Sequence, residues 1–136
     1  MLSFPKNKRI LSSAEFRRTL DQGLKTVRPE LVTFFRGRHP GSLPRLGLIV
    51  SKKVGNSVVR NKVKRKLREL FRQKLQFNSF DPSGVPMDVV IIARERASKA
   101  SFQLLESSWE GAVKRSKDLW ARSATPSQQE AAKDVH

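Results

Sequence analysis

Between Val50 and Lys74, two patterns that normally exclude each other occupy one stretch of chain. It reads Val-Ser-Lys-Lys-Val-Gly-Asn-Ser-Val-Val-Arg-Asn-Lys-Val-Lys-Arg-Lys-Leu-Arg-Glu-Leu-Phe-Arg-Gln-Lys. A run that was only charged would stay solvated, and one that was only apolar would be core. A helix accommodates both. At about 100° per residue, Val59, Val63, Leu67, Leu70, Phe71 and Leu75 fall into one apolar stripe. Asn61, Lys64, Arg65, Arg68 and Arg72 fall into a second stripe, nearly opposite. The spacing predicts a helix over 57–77 that opens at Gly55-Asn56-Ser57, with Asn56 or Ser57 as its N-cap. Arg60 points toward the apolar side. From there it reaches round the helix end or lies along the edge of the core.

The second stripe has a physical use. Asn61, Arg65, Arg68 and Arg72 recur at i, i+4, i+7 and i+11 and span about 16 Å of helix, which is enough to follow a phosphate backbone. Arg grips phosphate with a planar fork. Asn61 places a neutral donor and acceptor among cations, suited to a 2′-hydroxyl, a base edge or the water around a metal ion. Lys52 and Lys53 precede the helix N-terminus, whose free N–H groups also favour anions.

Charge narrows the partner. Residues 52–74 carry ten Lys or Arg and one acid, Glu69, so they hold a net +9 of the chain's +16. Such density repels itself unless a polyanion screens it. Nucleic acid is the first candidate and acidic lipid the second; the basic helix lacks the exposed Trp/Phe face of a membrane-surface helix. On residues alone, a structural ribosomal or RNA-chaperone protein and a DNA-binding protein that reads a groove with 57–77 both stay open. No membrane is expected, since no apolar run approaches the ~20 residues of a span. Met1 to Arg9 has no apolar signal region. The absence of Cys excludes a disulfide framework and a thiolate metal site and fits a reducing compartment, so a cytoplasmic location is expected.

The remaining elements follow from periodicity. With 136 residues, one domain over 1–122 is expected, with a disordered polar tail over 123–136. Residues 1–11 form a loosely ordered basic entry. Ser12-Ser13-Ala14-Glu15 matches a capping box, and Leu11 with Phe16 matches a hydrophobic staple. These open a helix over 13–22 that Gly23 stops. Thr26 to Arg38 reads as one strand, covered on both faces for part of its length. His39-Pro40-Gly41-Ser42 is a turn, and Arg45 to Ser51 is a second strand, antiparallel to the first through that short connection. After a loop over 81–86, Met87 to Ala93 reads as a fully apolar buried strand. Phe102, Leu105, Trp109, Ala112, Val113 and Trp120 follow helical spacing over 100–121, slightly weakened at Gly111. The order α-β-β-α-β-α predicts a small α/β sandwich, in which 45–51, 57–77 and 87–93 form a parallel crossover.

Across Val50 to Arg65 the chain resembles the protein subunit of bacterial ribonuclease P. The motif is Arg-Asn-x-x-Lys-Arg (Arg60, Asn61, Lys64, Arg65), followed by Arg68 and Glu69 and preceded by the strand end Gly47 to Lys53. Phe4-Pro5-Lys6, Glu15-Phe16 and Asp88 to Arg94 add to it, so the resemblance covers about residues 4–120. It implies a two-layer α+β sandwich with a small mixed sheet and a left-handed βαβ crossover. It also implies a ribonucleoprotein endonuclease that removes the 5′ leader of precursor tRNA, with the RNA subunit carrying the chemistry and binding Mg²⁺. The partners implied are that catalytic RNA and the leader, with no protein partner required.

By the same resemblance, Arg60, Asn61, Lys64, Arg65 and Arg68 face RNA, with Lys52 and Lys53 leading in; the helical projection adds Arg72 to their row. Phe16, Val32 and Phe34 line a leader cleft between the first helix and the sheet. On periodicity alone, Phe16 and Phe34 read equally as core. Leu20 stands where the family often has an aromatic, and Ile49 where it often has Ser or Thr, so apolar contact replaces stacking and a polar contact there. The acids agree with RNA-borne chemistry. The five Asp and seven Glu form no Asp-x-Asp or Glu-x-x-His pattern, so neither a catalytic residue nor a protein metal ligand is expected.

Overall fold

The computed structural model describes residues 12–37, 44–76 and 87–123. Three helices and four strands run in the order α1 (Ser13–Gln22), β1 (Leu24–Val27), β2 (Leu31–Gly37), β3 (Arg45–Ile49), α2 (Ser57–Gln76), β4 (Met87–Ala93) and α3 (Phe102–Ser123). A 3-10 turn, Glu95–Lys99, lies between β4 and α3. The basic entry with Leu11, the 39–42 turn, the 81–86 loop and residues 124–136 of the expected tail lie outside the described residues.

The sheet order is β1-β2-β4-β3. β4 pairs antiparallel with β2 and parallel with β3, so the predicted parallel crossover through α2 is present. Two expectations are corrected. The stretch 26–38 is not one strand: the chain folds back at Arg28-Pro29-Glu30, where Arg28 N–H donates to Leu31 O at 2.8 Å. Pro29 has no N–H to give a ladder, and β1 and β2 pair antiparallel on either side of it. β2 and β3 run in opposite directions, as expected, but they are not neighbours because β4 sits between them.

Alternation along the strands divides the core in two. Leu31 and Phe35 of β2, Val89, Ile91 and Ala93 of β4 and Leu46 of β3 face α2 and α3. Val63, Leu67, Leu70 and Phe71 of α2 and Leu105, Trp109, Ala112 and Val113 of α3 meet them there. The Phe35 and Trp109 rings lie 5.6 Å apart, tilted by 46°. The sheet and the α2/α3 pair are thus the two full layers, and α1 partly covers the other face.

Local chemistry sets the helix ends. Ser12 Oγ accepts from Glu15 N–H at 3.0 Å, as the capping motif predicts. Asn56, not Ser57, caps α2, its Oδ1 accepting from Val59 N–H at 3.0 Å. At Gly23 a Cβ would stand 2.5 Å from Thr19 O and 3.1 Å from Phe35 O, so only glycine lets α1 turn directly into β1. Gly111 also has a reason beyond propensity: a Cβ there would meet Arg28 Cζ at 2.8 Å, so the bare helix surface accepts the Arg28 guanidinium.

The expectation that β4 is fully apolar is corrected at Asp88, whose side chain is 0% exposed. Burial of a lone carboxylate is costly, and Arg45 removes most of that cost. Its Nε donates to Asp88 Oδ1 at 2.9 Å and its Nη2 to Oδ2 at 2.8 Å.

Leu67, 0% exposed in the larger core, tests the orientation of α2. Leu67→Ala is expected to lower stability by about 2–5 kcal/mol, measured by denaturant unfolding. A change near zero would mean that this face of α2 is not packed on the sheet.

Candidate nucleic-acid interface

The face of the sheet under α1 is built in rows, because paired residues of neighbouring strands share a face. The first row is Arg36, Asp88 and Arg45, and the second is Phe34, Val90 and Gly47. The third is Val32, Ile92 and Ile49, which Val27 extends onto β1. α1 covers the first two rows. Its Glu15 Oε2 accepts from Arg45 Nη1 at 2.7 Å. Its Phe16 ring lies so close to Gly47 that a Cβ there would stand 2.5 Å from Phe16 Cε2. The third row lies mostly beyond α1, with Val32, Ile92 and Ile49 half-buried and Val27 57% exposed.

All five residues expected in the cleft come together here. Phe34 and Val90 are buried at the centre, and Phe16, Leu20, Val32, Ile49 and Ile92 pack round them half-buried. Phe34 itself is 9% exposed, and Lys25 Nζ sits 6.0 Å from its ring centroid. Its place is in the packing under α1, beside the open row. Beyond Ile92 a cavity of about 500 Å³ continues, lined by Pro29, Ser51, Lys53, Val54, Ile92 to Arg94, Glu95 and Arg96. Ile92 and Arg94 entered the sequence reading only as part of the matching strand, without a site role, and Arg96 was not named. The signal for Ile92 was its parity: it lies two residues from Val90 on the same face of β4.

The basic residues separate by what they touch. Asn61, Arg65, Arg68 and Arg72 are exposed along the outer face of α2, as are Lys52 and Lys53 before it. Lys64 and Arg60 are half-buried. Arg60 leans to the core side, as its position on the helix requires, and its Nε is buried without a hydrogen-bond partner among the described residues.

Three cations of the run have partners within the protein. Lys66 Nζ donates to Ala100 O at 3.1 Å. Lys74 bridges Glu106 at 3.2 Å and Glu110 at 3.1 Å. Burial works against its charge, but hydrogen bonds to Glu110 and Glu106 outweigh it and raise its pKa. Arg72 pairs with Glu69, and its hydrogen bond holds the Glu69 carboxyl below the ordinary range. Sequence spacing placed Arg72 in the free row, but its neighbour three residues back partly neutralises it.

Among the described residues, no group of three or more His, Cys, Asp or Glu is placed to hold a metal ion. Among them, no helix is long and apolar enough to cross a membrane.

The chain matches the model of the Ribonuclease P family over residues 4–117. It is 34% identical over 112 residues to the ribonuclease P protein component of Halalkalibacterium halodurans, covering 82% of this chain and 90% of that protein. It is 38% identical over 128 residues to that of Mycolicibacterium gilvum, covering 90% and 98%. The solved RNase P protein of Staphylococcus aureus superposes with a TM-score of 0.68 at 32% identity, over 81% of this chain and 95% of that one. The RNase P protein of Thermotoga maritima does so with a TM-score of 0.65 at 27% identity, over 79% and 96%. Fold, family match and relatives agree: the chain belongs to the ribonuclease P protein family.

Proposed function

We propose that this protein binds the catalytic RNA of ribonuclease P through the outer face of α2 and holds the 5′ leader of precursor tRNA along the open row beside α1. In this way it promotes endonucleolytic removal of the leader in the cytoplasm. Family membership supplies the role in tRNA processing. The observation that carries the finer reading is that a basic face and an apolar, half-open strip lie on different surfaces of one folded unit.

Each surface suits one kind of RNA. On α2, Asn61, Arg65 and Arg68 stand out on a helix anchored by Val63, Leu67, Leu70 and Phe71. The helix backbone holds the two arginines at a fixed spacing, as a folded RNA holds its phosphates, and their planar guanidinium forks are pre-organised for phosphate, with Asn61 adding a neutral donor and acceptor. Beside α1, Val32, Ile92 and Ile49 with Phe16 and Leu20 offer apolar surface to unpaired bases. Contact of that kind tolerates any sequence. Lys53, Arg94 and Arg96 at the cavity are positioned for its backbone.

The chemistry in this reading belongs to the RNA. Asp88 is buried against Arg45, and Glu69, the one acid within 52–74, is engaged by Arg72. Both carboxylates are thus committed to guanidinium partners. Mg²⁺ takes its ligands from phosphate oxygens and water.

Reconstitution with a bacterial ribonuclease P RNA at low Mg²⁺ tests the whole reading. Leader cleavage is expected to rise on adding the protein, and no gain would overturn it. Arg65→Ala and Arg68→Ala should each weaken binding to that RNA and reduce the slope of log affinity against log salt by roughly one unit per lost phosphate contact. Unchanged affinity and slope in both would remove α2 as the contact face. Glu69→Gln should act in the opposite sense. It removes the acid that engages Arg72, so RNA binding tightens and the salt slope steepens by up to about one unit; weaker binding would mean that Arg72 needs Glu69 to hold it in place.

A further inference from the structure

We infer that Glu15 and Arg45 are positioning residues: their ion pair fixes the stance of α1 over the sheet and so sets the width of the strip that receives single-stranded RNA. This rests on the reading of that strip as the seat of the leader.

The geometry is asymmetric. All three guanidinium nitrogens of Arg45 are engaged, two by Asp88 and one by Glu15. The hydrogen bond to Asp88 is the largest influence on Arg45; it raises the Arg45 pKa against the opposing effect of burial. Asp88 is 0% exposed and cannot leave its strand without baring a buried charge. Arg45, 15% exposed, is therefore fixed by the sheet. Glu15, 31% exposed and on the helix, is the partner that can let go.

A neighbouring contact depends on that bond: Phe16 sits on Gly47, two residues from Arg45 on the same face of β3. The other end of α1 is tied closely, since Gly23 leads directly into β1 and packs against Phe35. With the ion pair broken, α1 still packs through Phe16 and Leu20 on Phe34 and Val90, but its first turn loses its polar tie to β3 and tilts more readily about Gly23. A tilt of that kind shifts Phe16 on Gly47 and moves the wall formed by Phe16 and Leu20 relative to Val32, Ile92 and Ile49. Arg36 does not replace the clasp: its Nη1 stands 3.6 Å from the same Asp88 carboxylate, beyond hydrogen-bond length, and it lies on β2.

The test uses the reconstituted holoenzyme and two precursor tRNAs, one with a long single-stranded leader and one with a single-nucleotide leader. The readout is the ratio of their KM values, with thermal unfolding of each protein variant measured in parallel. Glu15→Ala is expected to erode the preference for the long leader by about fivefold, the scale that a partly exposed ion pair can transmit. Glu15→Gln, which keeps an acceptor for Arg45 Nη1, should restore part of it. A role in stability alone would lower the unfolding temperature and leave the ratio unchanged. Phe16→Ala separates the two levels of the proposal. If it lowers the ratio while Glu15→Ala does not, the clasp is overturned and the cleft stands. If neither changes the ratio, the cleft reading fails and the clasp with it.

Discussion

β4 has to be paired on both edges and covered on both faces, and the rest of the molecule is arranged to do this. Val89, Val90, Ile91 and Ala93 are all buried, so both parities of the strand are apolar. β2 takes one edge antiparallel and β3 the other parallel. α2 and α3 cover the odd residues, and α1 covers Val90. α1 is only ten residues long and cannot cover the whole second face. The part left open is the row through Ile92, and the candidate cleft is that remainder.

The elements legible in the sequence were those with an internal period. α2 was placed to within a residue because two stripes at 3.6-residue spacing agree on one helix. β4 was placed with both its ends because an apolar run of that length between turn residues has few alternatives. What was not legible depends on partners distant in sequence. The break at Pro29 was hidden by β-favouring residues on both sides of it. The insertion of β4 between β2 and β3 is a matter of topology, and local pattern carries no record of it. Asp88 was passed over when the strand was read as fully apolar, and its bidentate partner Arg45, 43 residues away, shows why a carboxylate is tolerated there.

The site shows the same division. Helical projection correctly turned Asn61, Arg65 and Arg68 outward and Arg60 inward, since orientation on a helix is set by the helix itself. It could not tell which cations are already neutralised. Lys74 is engaged by Glu106 and Glu110 of α3, and Lys66 by a carbonyl that precedes α3. The net +9 of the run therefore overstates what it offers a partner. The cleft residues Phe16, Leu20, Val32, Phe34 and Ile49 were named through family resemblance, and the row geometry supplies a physical basis for their grouping. Val32 and Ile49 flank Ile92 in register, which makes Ile92 the centre of the strip although the sequence reading gave it no site role.

The two surfaces are mechanically coupled through the same strand. α2 follows β3 in the chain and packs on the face opposite α1, with Leu67 and Val63 meeting the odd residues of β4. β3 carries Arg45 and Gly47, which seat α1, and Ile49, which floors the open row. Lys52 and Lys53 lead directly from that strand to the basic helix, with Val54 buried between them and the cap at Asn56. In the proposed reading, a folded RNA on α2 and a single strand beside α1 would both be referred to this one short strand. Interiors packed at crystal-like density transmit position with little slack. The spacing of the two surfaces is set by the sheet, and the partly exposed ion pair at Glu15 ties α1 to it.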